Sequence, residues 1–175
     1  MTQYIEDFIP IVKYNGFNTQ KAATFESTVS VTGVATFLSV PVFSAGLVDS
    51  SEVVTATNVI AASESGKTFF LSAAAGFEST LPTAAAGLRF RFIVKTAPTS
   101  NGYTITGSPA DKIQGTVACS GAEDTVNGVT AADADNVILV ANVALVGDLV
   151  DFVSDGTNWY VTGNVNTFAA ITANG

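Results

Sequence analysis

Apolar and polar residues alternate singly along much of this chain, which is the period of a β-strand with one buried face. The alternation is clearest between Phe25 and Phe37, where Glu, Ser and Thr separate the apolar positions. Beyond residue 48, shorter stretches of this kind are separated by turn dipeptides such as Asn101-Gly102 and Asp155-Gly156. They predict strands over residues 53–57, 67–71, 77–81, 88–96, 103–107, 112–118, 136–141, 149–154 and 158–162.

Many short strands at this spacing predict an all-β fold. We expect a compact β-sandwich or barrel domain, jelly-roll-like, over residues 48–175, preceded by an extended N-terminal arm and a short β ribbon. The pattern leaves the choice between sandwich and barrel open.

The ribbon is predicted over residues 23–47, where Ala23-Thr24-Phe25 recurs as Ala35-Thr36-Phe37. A two-stranded ribbon is marginal alone, because nothing covers its apolar face. We therefore expect three copies of the chain to intertwine here as a narrow trimer shaft. The apolar side chains predicted to form the trimer interface are Phe25, Val29, Val31, Phe37, Val40, Val42 and Phe43.

The N-terminal arm is predicted over residues 1–22, where apolar side chains cluster around Pro10. Pro10 interrupts any helical spacing, so two interpretations stay open: a first strand of the core, or an arm that docks on a partner. The side chains that would dock are Tyr4, Ile5, Phe8, Ile9, Ile11, Val12 and Tyr14.

Charge is scarce and unevenly placed. Charged residues make up 13% of the chain, against about 25% in an average soluble protein. We infer that a partner, or further copies of the chain, covers part of the surface. Residues 113–175 hold seven acids and no base, so this end should repel polyanions, and nucleic acid is not an expected partner. The acids are Glu123, Asp124, Asp133, Asp135, Asp148, Asp151 and Asp155.

Export and membrane insertion are not expected either. The first residues carry acids where a signal peptide needs bases. The longest apolar run, from Val137 to Val146, is far shorter than the ~20 residues that span a bilayer. We expect synthesis in a cytoplasm and no membrane partner.

The sequence offers little to an enzyme. It has no histidine and a single cysteine, Cys119, without a basic neighbour to lower the thiol pKa. Residues 61–68, AASESGKT, fit a loose phosphate-binding loop, but strand-like residues follow where that loop needs a helix. The acids fit turns better than a calcium loop. We predict no catalytic residues, no metal and no cofactor.

Residues 89–95 interleave bases with aromatics, as single-strand nucleic-acid binders do. Strand alternation explains the same pattern: Phe90 and Phe92 face the core, while Arg89, Arg91 and Lys95 face outward. We expect these bases to pair with acids of the C-terminal third, in the same or a neighbouring chain.

Two stretches, LPTAAAGLRFRFIVK from Leu81 and VGDLVDFVSDGTNWYVTG from Val146, resemble structural proteins of tailed phages. The start at Asn15 and the ribbon after Phe25 are similar to the same class, which comprises head decoration (cement) proteins and fibre proteins, particularly of marine and cyanobacterial phages. The resemblance implies a homotrimer on the virion, anchored through its N-terminal part, with the compact domain projecting outward.

Within that resemblance, the chain is expected to be a capsid decoration protein that binds the major capsid protein, with residues 1–22 attaching to the shell. Its short length favours this role over a fibre. The alternative is a head or tail fibre protein that binds a host surface glycan or receptor, with Tyr103, Trp159 and Tyr160 as contacts. Core packing is the competing explanation for these three aromatics. A bacterial surface-layer or adhesin module would require export, which the first residues do not favour.

Overall fold

The structure is a computed structural model that describes residues 49–108, 110–120 and 128–175. These residues belong to one compact unit, Gly46–Gly175. The residues predicted for shell attachment and for the trimer interface lie outside the described residues, and those predictions stay predictions. The shell-attachment residues are Tyr4, Ile5, Phe8, Ile9, Ile11, Val12 and Tyr14, and the trimer-interface residues are Phe25, Val29, Val31, Phe37, Val40, Val42 and Phe43.

The described residues are built almost entirely of β-strands. The strands are β1 Ser51–Val54, β2 Asn58–Val59, β3 Thr68–Leu71, β4 Phe77–Thr80, β5 Arg89–Val94, β6 Tyr103–Thr106, β7 Ile113–Cys119, β8 Gly128–Ala134, β9 Asn136–Leu139, β10 Leu149–Ser154, β11 Trp159–Val165 and β12 Ile171–Asn174. Ala62–Glu64 and Phe168–Ala170 form single turns of 3-10 helix. No helix in this part of the chain is long and apolar enough to cross a bilayer.

Two sheets form a sandwich. The seven-stranded sheet has the order β1-β3-β5-β10-β11-β7-β8, and the five-stranded sheet has the order β12-β9-β6-β4-β2. Both sheets are mixed, because parallel and antiparallel pairs occur in each. The predicted all-β class is confirmed, and of the two architectures left open the structure shows the sandwich.

The first six strands alternate between the sheets. β1, β3 and β5 lie side by side and parallel in the larger sheet, while β2, β4 and β6 do the same in the smaller one. Parallel neighbours need a crossover connection. Here the crossover is itself a strand of the opposite sheet, so the chain winds as a flattened coil of three turns. These parallel pairs distinguish the domain from an antiparallel jelly roll.

Aromatic side chains fill the space between the sheets. The rings of Phe69 and Phe92 stack with centroids 5.4 Å apart, and Phe152 meets Phe92 edge-on at 5.7 Å. Phe90 lies 5.6 Å from Trp159, and all five side chains are buried. Full burial of a Phe side chain contributes roughly 1.5–3 kcal/mol, so this cluster is a large part of the driving force for folding.

All nine strands predicted from the alternation are present, as β1, β3 to β7 and β9 to β11. Three strands were missed. β2 has only two residues, too few to alternate. β8 is rich in alanine and contains Asp133, whose φ of 53° is rare for a residue other than glycine. β12 has the sequence ITAN, which shows no clear alternation of apolar and polar residues.

Candidate functional site

The outward surface of the seven-stranded sheet carries both charged and apolar side chains. On β5 the side chains of Phe90, Phe92 and Val94 are buried, while Arg89 and Arg91 are exposed. The predicted alternation of β5 is therefore confirmed. On β10, the burial of Val150, Phe152 and Ser154 likewise sends Leu149, Asp151 and Val153 outward. Antiparallel pairing of β5 with β10 then sets Arg91 opposite Asp151.

Arg91 and Asp151 form a two-point ion pair. Nε donates to Oδ1 at 2.7 Å and Nη2 donates to Oδ2 at 3.1 Å. This pairing raises the pKa of the Arg91 guanidinium and keeps it charged. The expected pairing of an outward base with an acid of the C-terminal third is confirmed for Arg91, within the same chain. Both side chains are partly exposed, so the pair orients the two strands more than it stabilises the fold.

Lys67 is held by two carboxylates. Its Nζ lies 2.9 Å from Glu52 Oε2 and also contacts Glu64 Oε1. The hydrogen bond from Lys67 lowers the pKa of Glu64, with a smaller contribution from the Ala61 N–H that Glu64 also accepts. Within residues 61–68, Ala62–Glu64 form a single 3-10 turn and β3 follows. The helix that a phosphate-binding loop requires at this point is replaced by a strand. Glu52 and Glu64 together neutralise the positive charge of Lys67.

A shallow groove of about 360 Å³ runs beside these ion pairs. The basic residues Lys67, Arg89 and Arg91 line it, together with Asp49 and Asp151. The two glutamates that bind Lys67 bring the local carboxylates to four against three bases, so the groove gives little attraction to a free anion. Of these three bases, Arg89 is the one that has no carboxylate within 4.0 Å among the described residues.

Several C-terminal acids fix turns, as predicted. Asp148 is buried and accepts hydrogen bonds from the backbone N–H groups of Leu145 and Asn166. Asp155 accepts from the N–H groups of Asn158 and Thr157, and these bonds lower the pKa of its carboxyl group. No group of three or more metal-ligating side chains comes together among the residues that the structure describes.

The three aromatics named as glycan contacts are separated by the fold. Trp159 and Tyr103 are fully buried in the core, which leaves neither ring available for stacking on a sugar. Tyr160 is 44% exposed on the outer surface and its hydroxyl donates to Asp155 Oδ2 at 3.0 Å. The structure therefore supports one of the three as a surface contact.

Cys119 ends β7 and is half-buried without a disulfide partner. Burial raises the pKa of its thiol, and the nearby charge of Asp148 raises it further. Such a thiol is mostly protonated near neutral pH and is a poor nucleophile.

Comparison of the chain with protein-family models, with curated proteins and with solved structures gives no match.

Proposed function

We propose that this chain is a structural virion protein, a capsid decoration protein that binds the major capsid protein on the outside of a phage head as a homotrimer and stabilises the shell. It works without catalysis or a cofactor. Its place is the capsid surface, after synthesis in the host cytoplasm. Residues 1–22 are the proposed attachment segment, and the compact domain projects outward with its acidic side chains.

One observation on the fold supports the proposal most. The two stretches that resemble phage structural proteins are far apart in sequence, but they form β5, β10 and β11, which are neighbours at the centre of the larger sheet. A resemblance spread over unrelated surface loops would have no such structural unity. The stretches instead cover one contiguous piece of the sandwich, as expected when a whole module is shared.

Several charged side chains form hydrogen bonds and ion pairs within the domain, as expected of a protein that binds a partner without catalysis. Buried Asp111 accepts the N–H of Ala84 at 2.6 Å, and Asp148 and Asp155 hold turns. Lys67 and Arg91 are used in ion pairs. These polar groups rigidify a small domain, which is what a protein that is repeated over a shell needs.

The alternative is a head or tail fibre protein that binds a host surface glycan or receptor. The exposed ring of Tyr160 is the observation that favours it. A sugar site normally combines such a ring with further aromatic or hydrogen-bonding groups. Because Trp159 and Tyr103 are core residues, we place this second.

The test is binding of the purified full-length chain to empty heads of the virus that carries its gene. We expect the full chain to cosediment with the heads and to raise the temperature at which they break. A chain lacking residues 1–22 should stay folded, judged by the emission of buried Trp159, and lose head binding. Retained head binding with lost adsorption to cells would favour the fibre, and no binding by the full chain would contradict decoration.

A further inference from the structure

An apolar row crosses the outward surface of the seven-stranded sheet. The register places Val53 beside Phe70, Phe70 beside Ile93, and Ile93 beside Leu149. Their buried neighbours along each strand show that all four side chains point away from the core. Val53 is 48% exposed and the other three are partly exposed. A surface facing only water would carry polar residues at such positions.

Two basic residues lie on either side of Ile93 along the chain: Arg89 begins β5 and Lys95 directly follows it. Arg89 and Lys95 are exposed, and neither has a carboxylate within 4.0 Å among the residues that the structure describes. Between them, Arg91 is neutralised by Asp151. Asp49 lies in the groove beside Arg91 and offsets part of this positive charge. With three bases against these two acids, the face is weakly positive, whereas the whole chain has a net charge of −8.

We propose that this surface, the outward side of β1, β3, β5 and β10, is a self-association face on which a second copy of the chain lays an acidic surface. A two-fold contact between two identical faces is disfavoured, because each face carries the bases Arg89, Arg91 and Lys95 against the acids Asp49 and Asp151, so the contact would bring surfaces of like charge together. The contact is therefore between different surfaces of the two copies, and repeating it gives a ring if the rotation between copies closes and an open filament if it does not. Opposite charge sets the orientation, and burial of the apolar row supplies affinity.

The net negative charge of the chain makes a second copy electrostatically complementary to this face. Acidic residues outnumber basic ones by fifteen to seven, so every copy carries a surplus of carboxylates outside the face. The inference concerns the compact domain alone and does not depend on capsid binding.

The test compares two matched variants of the full-length chain. Val53→Asp places a negative charge in the apolar row. Val59→Asp makes the same change at a more exposed valine, 77% exposed, on β2 of the other sheet. Mass is measured by sedimentation over a wide range of concentrations. We expect Val53→Asp to raise the concentration of half-dissociation at least tenfold, and Val59→Asp to leave it within twofold of wild type.

A footprinting measurement covers the case of an oligomer too tight to dilute. Carbene labelling of Phe70 and Ile93 should fall in the assembled chain relative to the Val53→Asp variant. A wild-type chain that is monomeric throughout overturns the proposal, as does equal behaviour of the two variants together with unprotected Phe70 and Ile93. A loss of head binding by Val53→Asp with an unchanged mass curve also overturns it, since the face would then bind another protein.

Discussion

The hydroxyl group of Tyr103, a single polar group in the core, should contribute measurably to the free energy of unfolding of the domain. Tyr103 is fully buried on β6, with its ring edge-on to Phe77 at 4.9 Å. Its oxygen accepts the N–H of Ala73 at 2.8 Å, and it lies within 2.8 Å of Ala73 O and 2.7 Å of Thr96 O. The hydroxyl thus ties the chain after β3 to the chain after β5. Burial raises the pKa of this phenol, which keeps the proton on the oxygen.

Replacing Tyr103 by Phe keeps the ring and removes the oxygen. The change deletes one accepted and one donated hydrogen bond, each worth about 0.5–1.5 kcal/mol net. It also leaves the Ala73 N–H, in a half-buried segment, without its acceptor, although water can reach part of that segment. We therefore expect a loss of about 2 kcal/mol in the free energy of unfolding.

Urea unfolding monitored by the emission of Trp159, the sole tryptophan, measures this loss. Trp159 is fully buried in the native domain, so its emission reports on the core. The matched control is Tyr160→Phe, which removes an exposed hydroxyl that donates to Asp155 and should cost less than about 0.5 kcal/mol. All proteins are compared at one concentration, because association shifts apparent stability. If the two variants lose the same free energy, the bonds of Tyr103 do not stabilise the domain as argued.

Three further predictions follow from the described side chains and backbone. At Gly115, φ is 129° and an added Cβ would lie 2.1 Å from Val161 O, so Gly115→Ala should cost about 2–4 kcal/mol, measured by urea unfolding. The hydrogen bonds from the Asn158 and Thr157 N–H groups lower the folded-state pKa of Asp155, so its stabilisation is present above its ordinary pKa and is lost as pH falls through the lowered pKa; Asp155→Asn should make acid unfolding less steep in that range. Cys119 should react with a thiol reagent more slowly than a free thiol at pH 8, and equal rates would contradict its raised pKa.

The strands were predictable because the two faces of the larger sheet differ in polarity. On β5, buried Phe90 and Phe92 alternate with exposed Arg89 and Arg91, so the period of two is visible in the sequence. Two of the three missed strands share a cause. β2 and β12 lie at the edges of the smaller sheet and are short, so they bury few side chains and carry little alternation.

The pairing partners of the strands were not predictable from alternation. A periodic pattern assigns each side chain to a face, but it contains no information on which strand lies beside which. The ion pair of Arg91 with Asp151 depends on the pairing of β5 with β10, across about sixty residues of sequence. Only the expectation that the outward bases meet C-terminal acids could be stated, and the structure confirms it for Arg91.

The apolar row shows the same limit more sharply. The four residues lie in four different strands, and each is flanked by polar or buried residues, so none is unusual within its own strand. They are Val53, Phe70, Ile93 and Leu149. Their alignment requires β1, β3 and β5 to be parallel neighbours, an order produced by the coil of alternating sheets. A hairpin arrangement of the same strands would scatter the four side chains. Because topology creates this surface, its role must be tested at the aligned positions together, with Val59 on the other sheet as the reference.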